Sequence, residues 1–554
     1  MPKSVLKIVA DRLSQLNTEI VFGLPSDDLQ LMNHVQENAI EYLVTKDQRN
    51  ALFMAAGYAL ASGKLGVCNV GKGPAFTNSL TGVLEARSLS VPVLIIAAGT
   101  STLKYGEEKA FQEANQLDMV SPLAKWSHRL ESAESIHWVL KKALYLTVNG
   151  TPGPVYIEIP EDIGRIEIED VDGDEPAQHT GRPVPSATSI HAASELIQHS
   201  ERPVLLLGGG CRTIGDQGLL PRLANRLQSP VFSTASGRGS FPETHPLFCG
   251  LAGLYCPEVM KEIIAESDLV LSLGSKLEET ALFGWEAMLE EKHLIEINLN
   301  ENHFNHSFNS LKLVGDVGES LSLLYDALEA IEIASRRDVE RAKNRLVTES
   351  RRVIDEESPL KVVHILERIQ RGEQLPGIFV HENGLQDMWS YFYPYLSLNE
   401  GQTSIVPSEQ TSLGFGCAAS IGAAKAKKDQ MVVALVGDGA FNLFSPELMT
   451  VAHNQIPVIY IVLKNGGYGW LEYQNKHASP SPFVNTDTPL VQLQHPQLSV
   501  LCLTAKEELD DIWEKAQDLY ALGQTVIIEA TITINDVPPP LNEIHGDFPV
   551  KEHV

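Results

Sequence analysis

Short uninterrupted apolar runs, each ending in a glycine or proline turn, recur along this chain and constrain its fold more than any other feature. Pro92-Val-Leu-Ile-Ile-Ala-Ala, Arg202-Pro-Val-Leu-Leu-Leu-Gly-Gly-Gly and Gln430-Met-Val-Val-Ala-Leu-Val-Gly-Asp-Gly are three of them. A strand without polar alternation has to be buried on both faces, and a parallel sheet covered by helices provides that. Helical patterns stand between such runs, at Val5 to Leu16, at the Ala-rich Asn50 to Ser62 and across 331–357. The alternation predicts an α/β chain of three doubly wound parallel-sheet domains, at 1–165, 185–330 and 358–535. A length of 554 residues agrees, at about 100–200 residues per domain. Glu161 to Ser189 is acidic and broken by Pro and Gly, and reads as a linker.

Charge narrows the partners. Asp plus Glu number 71 against 43 Lys plus Arg, a net charge of −28. Such a chain is a poor match for nucleic acid or an anionic membrane, so neither is expected as a partner. No run of 18 apolar residues and no signal-peptide core is present. The six cysteines are scattered without a CxxC pair, which reads as reduced thiols in a cytoplasmic protein.

The sharpest local feature is Gly437-Asp438-Gly439, followed after 25 residues by Asn465. Each element directly follows an apolar strand. In an open parallel sheet the carboxyl ends of neighbouring strands face one crevice, so Asp438 and Asn465 are expected at the same edge. Glycines there let a phosphate approach the backbone, and the helix starting near Phe441 points N–H groups at it. Asp438 and Asn465 offer hard oxygen ligands for Mg2+. The alternative is a plain turn with a capping aspartate.

Val436-Gly-Asp-Gly-Ala-Phe and Leu463-Lys-Asn-Gly-Gly-Tyr-Gly resemble the cofactor motif of the thiamine diphosphate (ThDP) enzymes in the acetolactate synthase, pyruvate oxidase and benzoylformate decarboxylase group. Phe22-Gly-Leu-Pro, Met54-Ala-Ala-Gly-Tyr-Ala, Gly73-Pro-Ala-Phe-Thr-Asn-Ser-Leu-Thr-Gly and Leu413-Gly-Phe-Gly fall in the same order as in that family. The resemblance implies pyrimidine-binding, central and diphosphate-binding domains. It also implies a homodimer or homotetramer with active sites between subunits. It assigns Asp438, Asn465 and the Gly467 carbonyl to Mg2+, and Gly437, Gly439, Ala440, Asn383 and Gly384 to the diphosphate. Leu413 would wedge the cofactor into its bent shape, and the Thr411 carbonyl would accept from its 4′-amino group, where the family usually has Gly. Pro25, Asn78 and Tyr468 fall among the cofactor-binding positions.

The family's catalytic glutamate is missing. Counting ten residues back from Tyr58, or 23 forward from Pro25, lands on Gln48. An amide can donate to the pyrimidine N1′ but cannot exchange a proton there. Adjacent Asp47 is either a substitute for the glutamate or a helix cap. Lys72 stands in the active-site loop and is read as meeting a substrate carboxylate, with solvent as the alternative. Phe111 and Gln112 are expected to line the acceptor pocket. His381 and His453 read as structural. The flavin-binding relatives carry an Arg-bearing central stretch where this chain has Gly274-Ser-Lys-Leu-Glu-Glu-Thr, so FAD is possible but not favoured. The expected function is a ThDP- and Mg2+-dependent carboligase acting on 2-oxo acids. The alternatives are an aldehyde-releasing decarboxylase and a catalytically weak ThDP-binding subunit.

Overall fold

A computed structural model describes residues 2–25, 29–170, 181–328, 336–474, 494–539 and 541. It contains three six-stranded sheets whose paired strands are all parallel. From edge to edge the first runs Glu41–Val44, Ile20–Gly23, Gly66–Val70, Val93–Gly99, Pro154–Pro160, Trp126–Arg129. The third runs Thr403–Ile405, Ile378–His381, Val432–Gly437, Ile459–Lys464, Thr525–Thr531, Leu498–Leu503. Counted within each domain, both follow the strand order 2-1-3-4-6-5. The central sheet runs Phe248–Leu251, Val231–Ser233, Pro203–Leu207, Leu269–Leu273, His293–Asn298, Leu311–Val314, the order 3-2-1-4-5-6. The expected fold class is therefore the observed one.

The central strands of each sheet are the apolar runs, buried along their length, as in Val93–Gly99 and Val432–Gly437. The expectation of a linker over Glu161 to Ser189 is corrected in part. Glu161–Gly164 forms a helical turn, and Glu167–Glu169 pairs antiparallel with Pro2–Ser4. That two-strand clasp is too short to leave a periodic signal. Residues 171–180 of this stretch lie outside the described residues.

The first and third domains share a core. Helix Gln48–Ser62 lies against helix Phe415–Ala426, and both are apolar on nearly every face. Their backbones touch. A Cβ on Gly57 would fall 2.2 Å from the Ala419 carbonyl oxygen, and one on Gly422 would fall 2.0 Å from that of Met54. Only glycine fits at such a crossing. The central domain is fastened to the third by Arg238, fully buried, which pairs with Glu243 at 2.8 Å and donates to the carbonyls of Ser390 and Leu396.

Candidate active site

The strand order of the third sheet reverses between Ile378–His381 and Val432–Gly437. Loops leaving the carboxyl ends of strands at such a reversal form a ligand crevice. Here the loops are Glu382-Asn383-Gly384 and Gly437-Asp438. Gly437 pairs with Leu463, so Asn465 leaves the neighbouring strand at the same edge. Asp438 opens helix Asp438–Phe444 and is almost wholly buried. Its Oδ1 accepts from the Gly439 N–H at 2.8 Å and its Oδ2 from the Gly466 N–H at 3.2 Å. Burial holds the carboxyl above the ordinary aspartate range. Asn465 accepts from the Gly467 N–H at 2.8 Å and donates from Nδ2 to Gln386 Oε1 at 2.8 Å.

This donor set fits Mg2+ and a diphosphate. Carboxylate, amide and carbonyl oxygens suit a hard cation. At Gly437 and Gly466 an added Cβ would meet nothing within 4 Å, so the backbone lies open to a ligand. Gly439 sits under the half-exposed Tyr468 ring, 3.1 Å from where its Cβ would be, and Ala440 is buried in the same helix.

Three further carboxyl and amide groups surround this edge and carried no local sequence signal beyond their place after an apolar strand. Glu382 is buried and accepts from the backbone N–H groups of Asn383, Gly414 and Cys417 at 3.2, 3.0 and 3.2 Å. It thereby ties the Asn383-Gly384 loop to the Leu413 loop, and burial pushes it up to about 7. Asp387 is buried with neither carboxylate oxygen hydrogen-bonded, and burial with the nearby Glu382 and Asp438 charges raises it. Gln386 is the third, orienting Asn465. Thr411 holds φ +45°, a left-handed backbone that favours glycine, and its carbonyl accepts from Asn383 Nδ2 at 3.4 Å. Leu413, at 39% exposure, projects beside it.

The second group of expected site residues lies on the first domain. Gln48 is the first residue of helix Gln48–Ser62, and its Oε1 accepts from Asn78 Nδ2 at 2.9 Å. Asp47 is the helix cap, accepting from the N–H groups of Arg49 and Asn50. Its carboxylate is therefore already engaged. Glu447, from the third domain and fully buried, accepts from the Lys46 and Asp47 N–H groups at 2.8 and 3.0 Å. It fixes the approach to Gln48 from across the domain boundary. Pro25 is exposed after strand Ile20–Gly23, and residues 26–28 beyond it lie outside the described residues.

Lys72 already has an anion within the chain. Its ammonium is buried in an ion pair with Glu161, so the chain itself supplies the anion that a substrate carboxylate was expected to provide. Lys72 Nζ also lies 5.8 Å from the centre of the exposed Phe111 ring. Gln112 packs across Gly73, where a Cβ would fall 2.6 Å from the Gln112 carbonyl oxygen. Lys72, Phe111 and Gln112 thus form one cluster. Among the described residues no hydrogen bond joins the Gln48, Asn78 and Lys72 group to Asp438, Asn465 or Gly467 within the chain.

In the central domain the reversal point is closed by backbone. Gly210 N–H donates to the Gly274 carbonyl at 3.0 Å, and a Cβ on Gly208 would lie 2.3 Å from that oxygen.

Comparison with known proteins agrees with this layout. Residues 3–119 match the model of the thiamine pyrophosphate enzyme N-terminal TPP binding domain, residues 190–324 the central domain and residues 383–529 the C-terminal TPP binding domain. The chain is 30% identical to a probable 2-ketoarginine decarboxylase of Pseudomonas aeruginosa over 82% of its own length and 81% of that protein. It is 29% identical to a probable acetolactate synthase large subunit of Methanocaldococcus jannaschii, over 82% and 79%. It is 26% identical to the acetolactate synthase large subunit of Lactococcus lactis, over 84% and 82%.

Proposed function

The chain belongs to the thiamine pyrophosphate enzyme family, and from that premise we propose that it is a ThDP- and Mg2+-dependent carboligase acting on 2-oxo acids. One 2-oxo acid loses CO2 and its acyl carbon joins the carbonyl carbon of a second compound. Asp438, Asn465 and the Gly467 carbonyl hold the metal, while Gly439, Ala440, Asn383 and Gly384 hold the diphosphate. When bound, the thiazolium supplies the sink for the electron pair that decarboxylation leaves. Leu413 would pack against the cofactor, and the Thr411 carbonyl, set by a left-handed turn, would accept from its 4′-amino group. Gln48 gives its oxygen to Asn78, which leaves its Nε2 hydrogens to donate to N1′. That amide orients the ring but moves no proton.

The observation that carries the cofactor reading is the buried pairing of Asp438 with the Asn465 turn at the reversal point of the third sheet. Carboligation is favoured by the acetolactate synthase relatives, which match along about four fifths of both chains. It is favoured also by an amide at the acid position, since proton delivery matters most for releasing a free aldehyde. A second reading, an aldehyde-releasing decarboxylase, is favoured by the 30% relative. Two copies would assemble so that Gln48 of one faces the metal site of the other. The exposed Phe111, Leu413 and Tyr468 are then covered by the partner.

Purified protein with ThDP, Mg2+ and a panel of 2-oxo acids, followed for CO2 and products by mass spectrometry, tests this. CO2 with a new C–C bond is expected. CO2 with free aldehyde selects the second reading, and bound cofactor without turnover on any donor makes the chain a ThDP-binding subunit.

A further inference from the structure

A cleft opens between the central and third domains, and Asn383, Gly384 and Thr411 of the proposed cofactor site form one of its walls. The opposite wall carries Tyr255 and Thr280 of the central domain. The Tyr255 and Tyr391 rings, both in the lining, stack with centroids 4.8 Å apart. Half-buried Glu409 lines the cleft and accepts from the Thr280 hydroxyl. The other acid in the lining, Glu382, is occupied by three backbone N–H groups. Among the described residues no lysine or arginine lines the cleft. Lys276, whose charge acts on Glu409, is held by Glu278 at 3.5 Å and by the Ser88 carbonyl at 2.6 Å.

The loop carrying Glu409 is set in advance. Glu85, fully buried in helix Pro74–Ser88, accepts from the N–H groups of Ser408 at 2.5 Å and Ser412 at 3.3 Å. Binding therefore does not have to order it. A carboxylate without a basic partner, facing stacked tyrosine rings in a partly desolvated cleft, is the chemistry that holds an ammonium or guanidinium group. Burial and the charges of Glu278 and Glu279 already make Glu409 reluctant to ionise, and a bound cation relieves both. At its own end of the cleft, Glu409 disfavours an anionic side chain.

We propose that this cleft receives the cationic end of the 2-oxo acid side chain, and that Glu409 is the residue that selects it. The proposal rests on the reading of Asn383, Gly384 and Thr411 as cofactor-binding residues. The first test needs no turnover. Calorimetry on the holoprotein compares 5-guanidinopentanoate with hexanoate, neither of which carries a reacting ketone. The guanidino acid is expected to bind at least about tenfold more tightly, and Glu409→Gln, which keeps an acceptor for Thr280, removes that advantage. Equal affinities, or an advantage that survives Glu409→Gln, overturn the proposal. The second test is the ratio of kcat/KM for 2-oxo-5-guanidinopentanoate over 2-oxohexanoate. Glu409→Gln is expected to compress it about tenfold, chiefly through KM, and Glu409→Lys to invert it. An unchanged ratio in both variants overturns the selecting role. If neither keto acid is consumed but Glu409-dependent binding persists, the cleft stands and the carboligase reading falls.

Discussion

In the first domain the crevice between Ile20–Gly23 and Gly66–Val70 is filled. The Tyr42 hydroxyl donates to Asn69 Oδ1 at 2.9 Å, Asn69 Nδ2 donates to the Ile96 carbonyl at 2.9 Å, and a Cβ on Gly23 would fall 2.5 Å from the Tyr42 oxygen. In the third domain the same place in the same strand order is open at Gly437. The acids differ in the same way. In the first domain buried Glu158 pairs with Arg129 and half-buried Glu161 with Lys72, while buried Glu85 is met by backbone N–H groups of the third domain. Glu382, Asp387 and Asp438 of the third domain form no ion pair among the described residues. Topology offers both domains a crevice, and side chains fill one and leave the other open. Unpaired buried carboxylates are costly, a cost that the proposed Mg2+ would offset.

The largest expected effect comes from deleting the group the open crevice depends on. Asp438→Ala should abolish Mg2+-dependent ThDP binding in calorimetry, a loss beyond the roughly 10–100-fold caused by removing a group behind a metal ligand. Tyr42→Phe, in the filled crevice, should leave that titration unchanged and lower stability by about 1 kcal/mol. Equal effects of the two substitutions would erase the distinction between the domains.

Gln48→Glu addresses what the first domain contributes. Restoring a proton-exchanging group should speed exchange of the thiazolium C2 hydrogen for deuterium, seen by NMR, by about 100-fold or more. An unchanged rate would mean that Gln48 does not face the pyrimidine. Gln386→Ala should then cost roughly 10–100-fold in Mg2+ affinity, because Asn465 loses the partner that orients it. If the affinity is kept, Asn465 is oriented by Gly467 alone.

Much of this contrast was legible in the residues themselves. Val432–Gly437 and Ile459–Lys464 announced themselves as strands buried on both faces, and Asp438 and Asn465 were placed by standing right after them. Edge strands were not legible. Trp126–Arg129 is half-buried throughout and polar at its centre, and Thr403–Ile405 has three residues, too few for any period. Gln386, Glu382 and Glu447 were missed because each is selected by a group distant in sequence or by loop backbone. The partner of Lys72 was missed for the same reason, since nothing local to the loop foretells Glu161.

The smallest expected effect reads the missing charge directly. Burial raises Glu382 to about 7 in the folded apoprotein, against an ordinary glutamate near 4.5. The folded chain therefore binds this proton more tightly than the unfolded one. The associated stability is full below about 4.5 and is lost as pH rises through about 7. Asp387 and Asp438, also raised, act in the same sense. Scanning calorimetry of the apoprotein between pH 5.5 and 7.5 should show Tm falling by a few degrees, and Glu382→Gln should flatten the slope. Saturating Mg2+ and ThDP should flatten it too, because a cation stabilises the ionised carboxylates. A slope untouched by both Glu382→Gln and the metal would place the titrating groups elsewhere, and the third domain would then be as self-sufficient as the first.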